Sequence, residues 1–333
     1  MLRFVKTLGI RNEKETTIRW SPQVKPALGG LTFYIIFLLS IIFHSFIFSY
    51  SGDSIDFKFT GIVGAVSLGF LMGLADDAYN TRPVLKFLTQ VLCGGILVYS
   101  GTYIDFFDSD ILNYSLTVLW VVGLMNSINM LDNMDSITTI VSLVVCFTIL
   151  ILMLLGNGTS TFGATIIIGL LAALLGFLYF NWNPAKMYMG DTGSQYLGVL
   201  LAALSINYLW NPITTEEFSI SRQFLIPLLT FIIPIVDTTT VTIKRLRKGN
   251  SPFVGGKDHT THHLSYLGFL EKQVAAIVAL ISIISSAIAV YIITSIQIWS
   301  HLYTIIFSAY FLIVFGVLFY IANKNINKSE DVG

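Results

Sequence analysis

Ten apolar blocks separated by short polar connections dominate this chain, running over approximately 31–50, 60–75, 84–101, 112–130, 134–156, 160–180, 192–210, 222–243, 273–296 and 299–322. Each approaches the roughly 17–25 residues that cross a hydrocarbon core, the second being shorter and relying on its flanks. Of 333 residues, 54% are hydrophobic and 11% charged, whereas an ordinary soluble domain carries about 25% charged residues. Such a chain cannot cover a water-facing surface, so the bilayer is its solvent. The expectation is an all-α, multi-pass membrane bundle of about ten transmembrane helices, forming a single domain over 1–333. Glycine and serine recur inside several blocks, as in close-packed membrane helices. Cys93 and Cys146 lie inside apolar blocks with neither disulfide nor metal spacing, and read as small packing residues. The first 28 residues are polar and mixed in charge, without the apolar core of a signal peptide.

Two connections are long: residues 1–30 and 244–272. With both termini in the cytoplasm and ten spans alternating, all 19 lysines and arginines except Lys58 and Arg222 fall on the cytoplasmic side. The positive-inside rule therefore favours this orientation, with 1–30 as a cytoplasmic N-terminal segment and 244–272 as a cytoplasmic loop. A net charge of zero implies no nucleic-acid partner. The outer loops hold Asp53, Asp56, Asp105, Asp108, Asp110, Glu216 and Glu217, which read as solvated loop charges.

The remaining acids gather with other polar residues in five clusters on the cytoplasmic face: PALGG at Pro26–Gly30, GLADDAYN with Asp76 and Asp77, NSINMLDNMDSI with Asn126, Asn129, Asp132 and Asp135, FNWNPAKMYMGDTGS with Asn181, Asn183 and Asp191, and the loop carrying KRLRKG and KDHTTHH. Adjacent carboxylates repel and rarely sit near hydrocarbon without a cation. Asp76 and Asp77 either hold magnesium, supply a base, or simply end a helix at the headgroups. Asn126, Asn129, Asp132 and Asp135 recur every third residue, which on a helix keeps them to one side. They suit a hard cation or a nucleotide, or else form a polar turn. Asp191 lies between glycines, where backbone can approach a ligand, and also suits a helix cap. Lys244, Arg245, Arg247 and Lys248 make a basic patch, which ordinary headgroup anchoring also explains. Asp258, His259, His262 and His263 offer groups for zinc, phosphate or proton transfer. A hard-cation site beside phosphate-binding side chains at a membrane face suits a reaction between a soluble phosphorylated donor and a lipid phosphate.

PALGG, GLADDAYN, NSINMLDNMDS, FNWNPAKMYMGDTGS, IVDTTTVTIKRLRKGNSPF and KDHTTHHL stand in the order and spacing of the polyprenyl-phosphate N-acetylhexosamine-1-phosphate transferases. The chain resembles that family over about residues 8–270. It looks like the WecA-type enzymes, which use UDP-N-acetylglucosamine and undecaprenyl phosphate. The MraY-type enzymes usually carry Thr-Met-Gly-Gly where this chain has Ala27-Leu28-Gly29-Gly30, and a His-His-His-Phe-Glu run that it lacks. The resemblance implies a multi-pass enzyme of the inner membrane with its active site towards the cytoplasm, magnesium (or manganese) as cofactor, and compatibility with a homodimer. It makes Asp191 the main magnesium ligand with Asn129 beside it, and Asp76 and Asp77 the essential pair. It further implies that Asp132, Asp135, Asn126 and Asn181 line the nucleotide site and that Tyr188 stacks on uracil. Arg245, Arg247, His262 and His263 would contact phosphate or sugar. The family often reads His-x-His-His in the loop; here His259 stands three residues before His262.

Two other readings compete. A phospho-N-acetylmuramoyl-pentapeptide transferase would use the same chemistry on another donor. A secondary transporter would suit ten spans, but transporters tend to place their sites near the midplane and to show repeats; here the polar groups gather at one face and no repeat is apparent.

Overall fold

A computed structural model describes residues 25–48, 56–156, 160–211, 219–251 and 256–324. The expected N-terminal segment up to residue 24, and the loop acids Asp53, Glu216 and Glu217, lie outside the described residues. Twelve α-helices follow in order among the described residues: α1 (Gly29–Phe48), α2 (Phe57–Tyr79), α3 (Pro83–Tyr99), α4 (Asp110–Leu131), α5 (Ile137–Leu155), α6 (Thr161–Asn181), α7 (Gly190–Ser205), α8 (Ile220–Thr230), α9 (Ile232–Arg247), α10 (Thr260–Tyr266), α11 (Glu271–Thr294) and α12 (His301–Lys324). A π-helical turn, Ile206–Trp210, prolongs α7. Seven helices are long and apolar enough to cross a membrane, and the pair α8–α9 makes an eighth when taken together. The shorter α3 and the extended α7 occupy the other two apolar blocks.

Local chemistry sets the boundaries. Asp56 accepts the Phe59 backbone N–H at 2.9 Å and starts α2. Asn80, at φ 50°, ends it in the left-handed conformation that closes many helices. Pro83 opens α3, where its missing N–H costs nothing. The block at 222–243 is not the single straight span that its hydropathy suggests: α8 and α9 meet at 83°. Pro234 has no N–H to offer the Thr230 carbonyl four residues back, and its ring crowds that carbonyl, so the ladder breaks at Phe231.

α7 is the central post, buried from Thr192 to Ser205 and packed against α1, α2 and α4. Close backbone approach makes this possible: a Cβ on Gly30 of α1 would lie 2.2 Å from the Gly193 nitrogen of α7. Polar ties run through the interior as well. Gln90 of α3 accepts from Asn126 of α4 at 2.7 Å and donates to Gln195 of α7 at 3.2 Å. Arg222, an exception to the charge asymmetry, is buried and donates to the carbonyls of Ile292 and Ile296 at 2.9 and 2.8 Å. It thereby satisfies backbone acceptors at the C-terminal end of α11. On the outer helices, large side chains such as Phe46, Leu154 and Ile305 are exposed, as expected of a surface that lipid covers.

Candidate active site

The end of α2, the end of α4 and the start of α7 meet at one end of the bundle. Asp77 of α2 reaches across to the first turn of α7. Its Oδ1 accepts the Asp191 N–H at 3.0 Å, and its Oδ2 accepts the Thr192 N–H at 2.9 Å and the Thr192 hydroxyl at 2.6 Å. A carboxylate borrowed from another helix thus caps α7, satisfying orphan donors at the positive end of its dipole. Gly190, at φ +75°, permits the approach, since a Cβ there would lie 2.6 Å from Asp77 Oδ2.

Asp76, one residue earlier, is almost fully buried. Its Oδ1 accepts from the Thr81 backbone and hydroxyl at 2.8 and 2.7 Å, and its Oδ2 is ion-paired with Lys86. The same ammonium lies 3.6 Å from Asp191 Oδ2, so one cation serves two carboxylates. Asn129 of α4 donates to Asp191 Oδ1 at 2.9 Å and to Ser194 Oγ at 2.8 Å. The segment before α7 is held by the N-terminal strand-like stretch: Ala27 and Tyr188 form a parallel bridge, with Tyr188 N donating to Pro26 O and Gly29 N to Tyr188 O. The Lys25 ammonium sits 5.1 Å from the Tyr188 ring centroid.

Among the described residues no three His, Cys, Asp or Glu side chains form a ready-made metal cage. The donor set nevertheless fits magnesium. This ion takes one or two carboxylates from a protein and completes its shell with water and substrate phosphates. Asp191 is the more exposed of the two carboxylates that share Lys86.

The four polar residues of the third cluster do not share one site. α4 ends at Leu131, and the three-residue periodicity ends with it. Asn129 points to Asp191, whereas Asn126 lies one turn deeper, in the amide chain with Gln90. Asp132 is half-buried at the end of α4, its N–H bonded to Asn129 O at 3.3 Å. The chain then turns through residues 132–136, with Ser136 at φ 67° just before α5. Asp135 therefore accepts from Ala185 N at 2.8 Å and Asn183 Nδ2 at 3.3 Å, fastening the α4–α5 turn to the α6–α7 connection. Asn181 is committed likewise: it accepts from Ser136 N and Thr139 Oγ1 at 3.0 and 2.8 Å and donates to Met187 O at 3.1 Å.

Residues 59–209 match the family described as glycosyl transferase family 4. The Bacillus subtilis protein described as "Probable undecaprenyl-phosphate N-acetylglucosaminyl 1-phosphate transferase" is 30% identical over 292 residues, which cover 85% of this chain and 77% of that one. The decaprenyl-phosphate N-acetylglucosaminephosphotransferase of Mycobacterium leprae is 27% identical over 290 residues, 77% of this chain and 70% of that one. The phospho-N-acetylmuramoyl-pentapeptide-transferase of Staphylococcus saprophyticus is 30% identical over 294 residues, 80% of this chain and 84% of that one.

The chain belongs to glycosyl transferase family 4.

In this family 4 protein residues 256–266, which follow α9 in the chain, lie over the same end of the bundle. Thr261 Oγ1 donates to Asn133 Oδ1 at 2.8 Å, joining α10 to the α4–α5 turn. Arg245 makes two bonds to Asp258, at 2.9 and 2.7 Å, so its guanidinium pins the loop. Burial raises the Asp258 carboxyl, but the hydrogen bonds and charge of Arg245 outweigh it and hold the group below the usual carboxylate range. Arg247 lies elsewhere: it is exposed, with its guanidinium 5.8 Å above the Phe319 ring of α12. His262 and His263 are buried, and burial pushes them down to about 3 and about 4, the Lys244 charge adding to the shift of His263. Lys244 Nζ lies 2.7 Å from His263 Nε2 and bonds the Ala322 carbonyl of α12 at 3.0 Å.

Sequence patterning does not single out Lys86, Gln90 or Asp237 of the family 4 chain. Asp237 carries a readable signal, a carboxylate inside the apolar block 222–243, which a membrane segment tolerates only with a partner. Lys86 reads as one more basic residue on the cytoplasmic side, and only the fold of the α2–α3 turn brings it to Asp76 and Asp191.

Proposed function

We propose that this membrane protein transfers N-acetylglucosamine 1-phosphate from UDP-N-acetylglucosamine to undecaprenyl phosphate at the cytoplasmic face of the inner membrane, releasing UMP. The observation that carries this reading is the meeting of Asp76, Asp191, Asn129 and Lys86 at one end of a bundle that shares 30% identity over 292 residues with a protein described by that activity.

An oxygen of the lipid phosphate attacks the sugar-bearing phosphorus of the donor. The bond from that phosphorus to the bridging oxygen breaks, and UMP leaves with the electron pair. Magnesium, held by Asp191 and neighbouring Asp76, would offset charge on the pyrophosphate. The chain's own groups do the rest. Lys86 balances the two carboxylates and supplies positive charge beside the phosphates. Asn129 fixes the orientation of Asp191. Asp77 holds the start of α7 in register so that Asp191 keeps its place. The Tyr188 ring offers a stacking face for uracil.

The test is UMP release by purified protein, measured with and without magnesium and with and without undecaprenyl phosphate, over a panel of UDP-N-acetylhexosamines and UDP-N-acetylmuramoyl-pentapeptide. The expected donor is UDP-N-acetylglucosamine, with both additions required. Turnover of the pentapeptide donor alone would move the protein to the MraY-type activity, and no UMP from any donor would end the proposal.

A further inference from the structure

Asp237 lies in the middle of α9 and is 1% exposed, yet it carries a carboxylate. Its two oxygens reach the start of α10, one to Thr260 and the other to His259 just before it. Oδ1 accepts the Thr260 N–H at 2.8 Å and the Thr260 hydroxyl at 2.6 Å. Oδ2 lies 2.8 Å from Nδ1 of His259. An ionised carboxylate only accepts, so Nδ1 carries the proton of that bond. The ring orientation and its tautomer are therefore set by Asp237.

His259 differs from the other loop histidines in what is left over. His262 and His263 are packed inside, and His263 faces Lys244. Among the described residues nothing bonds His259 Nε2, and that atom is not among the sealed polar atoms that lack a partner. One ring nitrogen is anchored and the other is unbonded and not fully sealed, in a side chain that is 6% exposed. The charged and titratable groups around the ring are Asp237 on α9, the Asp258–Arg245 pair beside it, and His262, whose ring centroid is 5.3 Å away. Thr261 ties this short helix to Asn133, four residues from Asn129 in sequence, so the anchored imidazole is coupled to the turn that ends α4.

Resting on the transferase reading above, we propose that Asp237 is a positioning residue for the reaction, acting through His259 and presenting His259 Nε2 to a phosphate oxygen of the substrates. The carboxylate holds the ring at Nδ1 and balances its doubly protonated form, in which Nε2–H donates to an oxyanion. Its bonds to Thr260 anchor the loop and are separable from this role.

The experiment compares Asp237→Asn, His259→Gln, the double variant and Thr260→Val in full-length protein. Wild-type turnover is established first with the donor the protein accepts; its absence would remove the transferase reading, whereas the variants bear on Asp237 alone. Asp237→Asn turns an amide N–H towards Nδ1 and withholds the doubly protonated ring. It is expected to lower kcat about 10- to 100-fold and to change the pH profile, with KM for the UDP-sugar moving far less. The double variant is expected to be no slower than His259→Gln, because both changes remove one interaction. Thr260→Val is expected to lower Tm while keeping kcat. Independent, multiplying losses in the double variant, or wild-type kcat in Asp237→Asn, would overturn the proposal. Should Asp237→Asn fail to fold, a kcat loss in His259→Gln with none in Thr260→Val supports it, and the reverse pattern overturns it.

Discussion

The carboxylate of Asp77 accepts the backbone N–H of Asp191 across two helices, at 3.0 Å. The adjacent acids of the Asp76–Asp77 pair therefore have unlike duties: one is bonded to Lys86 and Thr81, the other is spent on the backbone and hydroxyl at the start of α7. Asp77→Ala removes an N-terminal cap worth about 1–2 kcal/mol. It also frees Asp191 to shift, and a displacement of about 1 Å can cost about 100-fold in rate. The expected result is a lower Tm together with a kcat reduced about 100-fold. A variant with both values unchanged would take Asp77 out of the site.

Lys86→Gln should be severe for a different reason. Asp76 is 1% exposed, and the lysine is its ion-pair partner. Breaking a buried pair from one side costs about 3–5 kcal/mol. Thermal melting in detergent is expected to show a clear loss of stability, and UMP release to fall with it. Adding Asp76→Asn to Lys86→Gln should restore part of the stability without restoring turnover.

Asn129→Ala removes the bond that orients Asp191 and the one to Ser194. Groups that orient a metal-binding carboxylate typically contribute about 10- to 100-fold in metal affinity. The magnesium concentration for half-maximal rate is expected to rise by about that factor, read from a titration at saturating donor. An unchanged titration with a lower kcat would place Asn129 on the substrate instead.

His262 and His263 are held neutral by burial, at about 3 and about 4. In the unfolded chain they take up protons near pH 6.5. The unfolded state then binds more protons, so stability is complete above about pH 6.5 and falls as the pH drops towards the folded-state values. Melting temperatures measured from pH 7 to pH 4 should decline, and His262→Asn should flatten the decline. Parallel curves for variant and wild type would contradict this.

Much of this architecture is legible from residues. Long apolar blocks have one stable form in lipid, and each of the ten is helical here. The convergence of Asp76, Asp77, Asn129 and Asp191 at one end follows from alternation of those helices. The rest depends on detail that periodicity does not carry. A three-residue spacing groups Asp135 with Asn129 only while the helix lasts, and α4 ends at Leu131. Arg245 and Arg247, two apart, leave α9 in different directions, one to Asp258 and the other to Phe319. The break at Phe231 needs Pro234 to be weighed against an otherwise unbroken apolar run. Asn181 has a catalytic neighbourhood in sequence and a bracing role in space.

The parallel bridge between Ala27 and Tyr188 has a practical consequence for handling the protein. Lys25 and Pro26 are the last links before that bridge, and both touch Tyr188. An affinity tag or fusion partner spliced close upstream of Lys25 would load the same few hydrogen bonds that set the Tyr188 ring in place. Kinetic comparisons are therefore cleanest with tags carried at the other terminus.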